Sequence, residues 1–217
     1  MSFATPAYLR RATSRAKSDV ANKLVGMFLH NLSRHINASL GLNITDAEYA
    51  DVVAAAFGSS CCYCGQVLEE DRAAVEHLEG MNRFRLGLHI PGNVIVACKR
   101  CNGQKRRDDQ LHDLTLAESG WESFLSHDST RCASNCKTCA YWRNVWPNSS
   151  ERGENMKNAR AKILAFRARY PNALEWSQKI KTGIRPIVDT LYRDCQQFAV
   201  LQINKTVDEV FSKLGKP

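Results

Sequence analysis

No apolar run in the 217-residue chain approaches the roughly 20 residues that a helix needs to cross a bilayer. The first residues, MSFATPAYLRRATSRAK, are basic but lack an apolar stretch or a cleavage-like site after them, so we predict no signal peptide. We therefore expect a cytoplasmic protein without a membrane partner. The Asn-x-Ser/Thr matches at Asn31 and Asn148 are accordingly interpreted as chance patterns.

Internal repeats are also lacking, and the composition is that of a folded globular protein, with 44% hydrophobic and 24% charged residues. A length of 217 residues suits one sizeable domain, or a core unit with helical additions. The nine cysteines of a chain that is not exported favour metal binding or redox chemistry over a disulfide framework. The formal charge of +8 favours polyanionic partners, above all nucleic acid, although solubility alone also accounts for such a charge.

Helical periodicity dominates both ends of the chain. An amphipathic helix is predicted over residues 16–40, and a second helix runs through YADVVAAAF to Gly58, with Thr45 and Glu48 forming a capping box at its start. The last third of the chain predicts helices over 154–169, 173–182, 185–201 and 206–214.

The middle of the chain is different. The runs AAVEHL and NVIVA predict two short strands, separated by a loop over residues 79–92. The fold class is therefore α+β, a small core inside a mainly helical protein. We divide the chain into a helical region (1–57), the core (58–112), a Cys/Trp-rich segment (113–150) and a second helical region (151–217).

Two Cys-x-x-Cys pairs flank the predicted strands, Cys61 with Cys64 and Cys98 with Cys101. Four thiolates on two short turns suit a closed, tetrahedral Zn²⁺ site of the structural kind. Gly65 permits the turn that such a knuckle requires. Cys62 lies between two ligands of the first turn, and we predict that it does not bind the metal.

A structural zinc site needs nothing particular between its cysteine pairs, yet this chain carries a definite pattern there. The pattern is Cys61-x-Tyr63-Cys64-Gly65, Glu76-His77, Gly87-x-His89-x-x-x-Asn93 and Cys98-x-x-Cys101-Asn102-x-x-Lys105. It resembles the four-cysteine branch of the HNH nuclease family, over residues 58–107 or about a quarter of the chain. The resemblance implies a β-hairpin followed by a helix, the core called ββα-metal or His-Me finger.

Phosphodiester hydrolysis needs an activated water molecule and neutralisation of charge at phosphorus. His77 can act as general base because imidazole titrates near neutral pH. The resemblance implies that Glu76 and Asn102 bind a catalytic Mg²⁺ or Mn²⁺ and that Asn93 orients the histidine. The family commonly has Asp where this chain has Glu76. His89 stays open as a ligand, a phosphate contact or a structural residue of the loop.

A run of basic residues accompanies Asn102 on the predicted helix and suits contacts with phosphate rather than with bases. It comprises Lys99, Arg100, Lys105, Arg106 and Arg107. The alternative is a solvated helix face, which Asp108 and Asp109 partly neutralise. The basic N-terminal residues and the basic late helix are further candidates for contacting DNA.

A second cysteine cluster, Cys132, Cys136 and Cys139, predicts another structural zinc site with His127 or His112 as fourth ligand. Free cysteines near an aromatic patch are the alternative. Their spacing also matches the iron–sulfur motif of radical SAM enzymes, but too little chain follows it to build the barrel of those enzymes.

The resemblance and the basic charge favour a metal-dependent DNA endonuclease, most simply a restriction-type enzyme that cuts double-stranded DNA as a homodimer. The resemblance also implies products with 5′-phosphate and 3′-hydroxyl ends. One alternative is a nicking, phage-packaging or mobile-element nuclease with the same core. An alternative of another class is a non-catalytic zinc-knuckle module that binds nucleic acid, in which Glu76 and His77 are structural.

Overall fold

The structure is a computed structural model that describes residues 6–69, 72–104, 143 and 147–215. Within these ranges the elements are α1 (Pro6–Ser39), α2 (Ala47–Phe57), β1 (Ala73–His77), β2 (Val94–Cys98), α3 (Lys99–Gln104), α4 (Ser149–Arg167) and α5 (Pro171–Leu214). One small sheet among long helices agrees with the predicted α+β class. No helix within these ranges is long and apolar enough to cross a membrane.

The two predicted strands form an antiparallel hairpin. Ala73 pairs with Cys98 at one end of the ladder and His77 pairs with Val94 at the other. Chain direction then places α3 directly after β2, without an intervening loop, and α3 packs against both strands. The hairpin therefore places His77, the last residue of β1, beside Val94, the first residue of β2, at the same end of the sheet.

The helix predictions need four corrections, the first of which is that α4 begins at Ser149, five residues before the predicted start at residue 154. Helix α1 begins at Pro6, ten residues before the predicted start at residue 16. The capping box is wrong, because Asp46 precedes α2 without a side-chain cap and the Thr45 hydroxyl donates to Asn43 Oδ1 at 2.7 Å instead. The three helices predicted after Pro171 are one helix, α5, with Pro186 inside it. A proline inside a helix removes one N–H donor and crowds the carbonyl four residues earlier, and packing of α5 on both sides of Pro186 outweighs this cost.

The buried side chains form two clusters. In the first, Tyr49 and Phe57 of α2 meet Phe166 of α4 through tilted and edge-to-face ring contacts, and the buried cysteines of the knuckles complete the cluster. In the second, α1 packs against the N-terminal part of α5. The loop between β1 and β2 inserts into this second cluster through Leu86, Leu88 and Ile90, each fully buried. The loop is thereby held by helices that are distant from it in sequence.

Gly87 is required by this packing. A Cβ at that position would stand 1.8 Å from the carbonyl oxygen of Glu79, a backbone atom, so the loop itself would have to shift. We expect Gly87→Ala to cost at least about 3 kcal/mol of unfolding free energy. Denaturant unfolding of the purified protein measures the change.

Gly26 in α1 provides the matched control, because a Cβ there meets nothing within 4 Å. Gly26→Ala should stabilise the protein by about 0.5–1 kcal/mol through the better helix propensity of alanine. Equal effects of the two substitutions would contradict the packing described for the loop.

Candidate metal and catalytic site

The four cysteines predicted to bind zinc lie together. The sulfur atoms of Cys61, Cys64, Cys98 and Cys101 are all within 4.8 Å of one another, and Cys64 Sγ stands 3.9 Å from Cys98 Sγ. A tetrahedral site with Zn–S bonds of about 2.3 Å places its sulfurs about 3.8 Å apart. Cys62 is not part of this group. The cluster can therefore bind a metal ion such as Zn²⁺.

The backbone around the cluster has the form of two knuckles. The Gly65 N–H donates to the Cys61 carbonyl at 2.9 Å, and Gly65 has the positive φ of 68° that glycine adopts without strain. On the second knuckle the Cys101 N–H donates to Cys98 Sγ at 3.3 Å, the kind of bond that stabilises a thiolate. The Cys62 N–H donates to the Val96 carbonyl and thereby ties the first knuckle to β2.

The sulfurs also influence one another's ionisation. Hydrogen bonds from the thiols of Cys101, Cys62 and Cys64 hold the pKa of Cys61 far below its ordinary value. Cys101 also lowers the pKa of Cys64, but the hydrogen bond with Cys61 and burial outweigh this effect and raise that pKa to about 12. Ionisation of Cys61 is thus favoured, whereas ionisation of Cys64 beside it is opposed. A bound divalent cation would favour the thiolate form of both.

Glu76 lies on the sheet face that meets the first knuckle. Its side chain is only 1% exposed, and Oε1 accepts a hydrogen bond from the Tyr63 hydroxyl at 3.1 Å. Burial and the nearby charge of Glu76 raise the pKa of Tyr63 well above its ordinary value, so the hydroxyl remains a donor at neutral pH. Tyr63 therefore orients one carboxylate oxygen of Glu76.

His77 is the last residue of β1 and is partly buried. Its Nε2 lies 2.8 Å from Nδ1 of His89, with the two rings tilted and their centroids 5.1 Å apart. Burial, with a smaller contribution from His30, lowers the pKa of His89 below its ordinary value. His89 is therefore neutral at neutral pH and offers one donor and one acceptor to its neighbours.

Helix α1 positions His89. The His89 N–H donates to the Ser33 hydroxyl at 2.8 Å, and the Asn37 amide donates to the His89 carbonyl at 3.0 Å. Both α1 residues are buried, which limits their freedom to move. The histidine that contacts His77 is thus fixed by a helix more than fifty residues earlier in the chain.

Asn93 joins the two ends of the segment between the histidines. Its Oδ1 accepts from the Glu79 N–H at 2.7 Å, while Nδ2 donates to the carbonyls of Glu79 at 3.1 Å and Leu88 at 2.7 Å. These bonds fix the residue two positions after His77 and the residue just before His89. Asn93 is 2% exposed, so the full set of bonds satisfies an amide that would be costly to bury unpaired.

Glu79 connects the same loop to the C-terminal helices. Its carboxylate forms ion pairs with Arg167 of α4, at 3.6 Å, and with Lys181 of α5. Arg185 of α5 adds a hydrogen bond to the Phe84 carbonyl at 3.0 Å. The loop that carries His89 is therefore anchored by α1, α4 and α5 together.

Asn102 is partly buried on α3, next to the cysteine that closes the metal cluster. Lys99 and Arg100 are exposed at the start of the same helix. The other predicted phosphate contacts, Lys105, Arg106 and Arg107, lie outside the described residues. So does the predicted second zinc site of His127, Cys132, Cys136 and Cys139, together with the alternative ligand His112.

The sequence does not reveal four residues that support the site. Tyr63 is the partner of Glu76, Ser33 and Asn37 anchor His89, and Glu79 links the loop to α4 and α5. Tyr63 was visible as part of the matched pattern but without a role. The α1 residues carry no local signal, because Ser and Asn within a long helix are ordinary.

Comparison of the chain with protein-family models, with curated proteins and with solved structures finds no match.

The cysteine cluster generates a prediction with an internal control. We expect Cys61→Ser and Cys98→Ser each to remove one equivalent of bound Zn²⁺ and to lower the melting temperature by about 6–12 °C, the shift that corresponds to a loss of about 3 kcal/mol of metal-binding free energy. Cys62→Ser changes an adjacent buried cysteine outside the cluster and should keep that equivalent. Elemental analysis of the purified variants, together with the visible spectrum of the Co²⁺-substituted protein, measures the occupancy. Loss of the same equivalent in Cys62→Ser would contradict this assignment of ligands.

Proposed function

We propose that the protein is a metal-dependent DNA endonuclease of the HNH type. The observation that carries this proposal is the hairpin β1–β2 followed directly by α3, with His77 ending the first strand and Asn102 on the helix. This is the order of elements that the resemblance implies. The candidate metal cluster joins the turn before β1 to the end of β2 and the start of α3. The net charge of +8 supports a polyanionic substrate.

In the proposed reaction His77 accepts the proton of the attacking water. For His77 to accept at Nδ1, its Nε2 must carry hydrogen and donate to His89 Nδ1, because a neutral imidazole has one donor and one acceptor nitrogen. The lowered pKa of His89 favours this arrangement, since a neutral His89 can accept and does not repel the imidazolium formed on His77. His89 is then a positioning residue that sets the tautomer of the base.

The two residues that the resemblance assigns to the catalytic metal have the chemistry that a hard divalent cation takes. The Glu76 carboxylate and the Asn102 side-chain oxygen are ligands of the kind that Mg²⁺ and Mn²⁺ take. When bound there, such an ion supplies charge neutralisation at the scissile phosphate. Tyr63 contributes by holding Glu76 in one orientation, as partners of metal-binding carboxylates commonly do.

Phosphate binding is assigned to the exposed Lys99 and Arg100, with Lys105, Arg106 and Arg107 as further members of the same basic run. One hairpin core holds one general base and cuts one strand at a time. We therefore propose a homodimer, in which two cores act on the two strands of a duplex. A restriction-type role is the form of this proposal that the additional helical regions favour.

The activity prediction uses plasmid DNA with Mg²⁺ or Mn²⁺. We expect the wild-type protein to cut the plasmid and His77→Ala to cut at least about 100-fold more slowly, since a positioned general base contributes roughly 10²–10⁴ in rate. His35→Ala, which changes an exposed histidine of α1, is the matched control and should retain the wild-type rate.

The products distinguish the candidate roles. Discrete linear fragments support the restriction-type enzyme, whereas open circles support the nicking alternative. Sequencing of the ends should give 5′-phosphate and 3′-hydroxyl groups. A wild-type protein that binds DNA but does not cut it with either metal, and whose DNA binding is unchanged in His77→Ala, would be a non-catalytic module and would contradict the proposal.

The role of His89 has a separate prediction. We expect His89→Ala to reduce the cleavage rate by about 10–100-fold, as loss of an orienting partner commonly does, and His89→Asn to recover part of it by restoring an acceptor near the position of Nδ1. Nitrogen-15 NMR of the imidazoles should show His77 as the Nε2–H tautomer in the wild type and as a mixture in His89→Ala. An unchanged tautomer together with an unchanged rate would exclude the positioning role.

A further inference from the structure

The C-terminal part of α5 bears an apolar stripe that nothing in the site explains. We define the α5 stripe as Ile203, Val207, Val210, Phe211 and Leu214, which are between 40 and 82% exposed. Spacings of three and four residues place all five on one side of the helix. The stripe continues the side of α5 on which Tyr192 packs into the second core cluster and Gln196 contacts Ser18 of α1. Beyond that contact, every residue from 201 to 215 is exposed.

This segment has little helix stability of its own. Its β-branched residues, Ile203, Thr206, Val207 and Val210, are mediocre helix formers, and all of residues 201–215 are exposed, so the segment extends α5 without burying its apolar side. A helix of this composition is stabilised by packing of its apolar side. An apolar side that stays exposed in this way favours contact with a partner surface.

Charge favours a protein partner over DNA or a lipid surface. Residues 201–215 carry Lys205 and Lys213 against Asp208 and Glu209, so the segment has no cationic excess. Phosphate backbones and anionic headgroups are bound by surfaces with such an excess. The surroundings of the stripe lack this feature, whereas balanced charges around an apolar centre are typical of protein–protein interfaces.

The size of the stripe fits pairing with a second copy of this chain. Its exposed side chains present on the order of 500 Å² of apolar surface, and one partner of a standard interface buries about 800 Å², of which about 60% is apolar. Two copies related by a twofold axis would present the same stripe to each other, which is the commonest arrangement of soluble oligomers. We propose that the α5 stripe is the surface through which two copies of the chain associate.

Sedimentation of the 217-residue, zinc-loaded chain at micromolar concentrations tests this assignment without any need for nuclease activity. We expect a dimer for the wild type and a monomer for the double variant Ile203→Glu/Val210→Glu, with a dissociation constant raised at least about 100-fold by the buried charges. The matched control is Gln202→Glu/Ser212→Glu, which adds the same charge on the opposite, exposed side of α5 and should remain dimeric.

A second variant separates loss of contact from loss of helix. Ile203→Ala/Val210→Ala removes apolar surface while raising helix propensity, so its dimer should weaken at least about 10-fold with undiminished circular dichroism. A wild-type chain that is monomeric throughout, or stripe variants that dimerise like the wild type, would overturn the assignment. So would a monomeric wild type that floats with anionic phospholipid vesicles. A stable dimer that cuts no DNA would support this surface while contradicting the proposed nuclease.

Discussion

The convergence of four sulfur atoms is the constraint on which the central unit of this protein depends. Each strand of the hairpin has only five residues, and an isolated two-stranded hairpin of that size is marginally stable at best. Cys61 and Cys64 precede the first strand, while Cys98 ends the second and Cys101 lies on α3. A metal bound by these residues fixes the hairpin and the direction in which α3 leaves it. The position of Asn102 relative to His77 follows from that geometry.

The helical regions complete the site as well as surrounding the sheet. The loop between the strands is internally tied by Asn93 and externally tied to three helices through His89 and Glu79. Because the loop is anchored at several separate points, its His89 is held at hydrogen-bonding distance from His77 at the end of β1. The proposed general base would depend on such preorganisation, since a small misplacement of a catalytic group is costly in rate.

Helix α5 links this arrangement to the proposed assembly. Its first part packs against α1 and supplies Lys181 and Arg185 to the loop, and its last part bears the α5 stripe. Association through that stripe would therefore couple the two copies through a helix that directly contacts the loop of each site. The contacts of α5 with α1 and the loop, and the contact between the two copies, would then use different parts of one continuous helix.

The sequence alone determined the features that depend on local spacing: the two cysteine pairs, the two strands between them, the turn at Gly65 and the α+β class. These follow from residue type and periodicity over a few positions. The roles assigned to Glu76, His77, Asn93 and Asn102 rest on resemblance and stay predictions. Only the tertiary structure decided that His89 meets His77, that Tyr63 meets Glu76 and that α5 continues through Pro186. Such features arise from packing between segments far apart in the chain, and packing overrides the local preferences from which a sequence is interpreted.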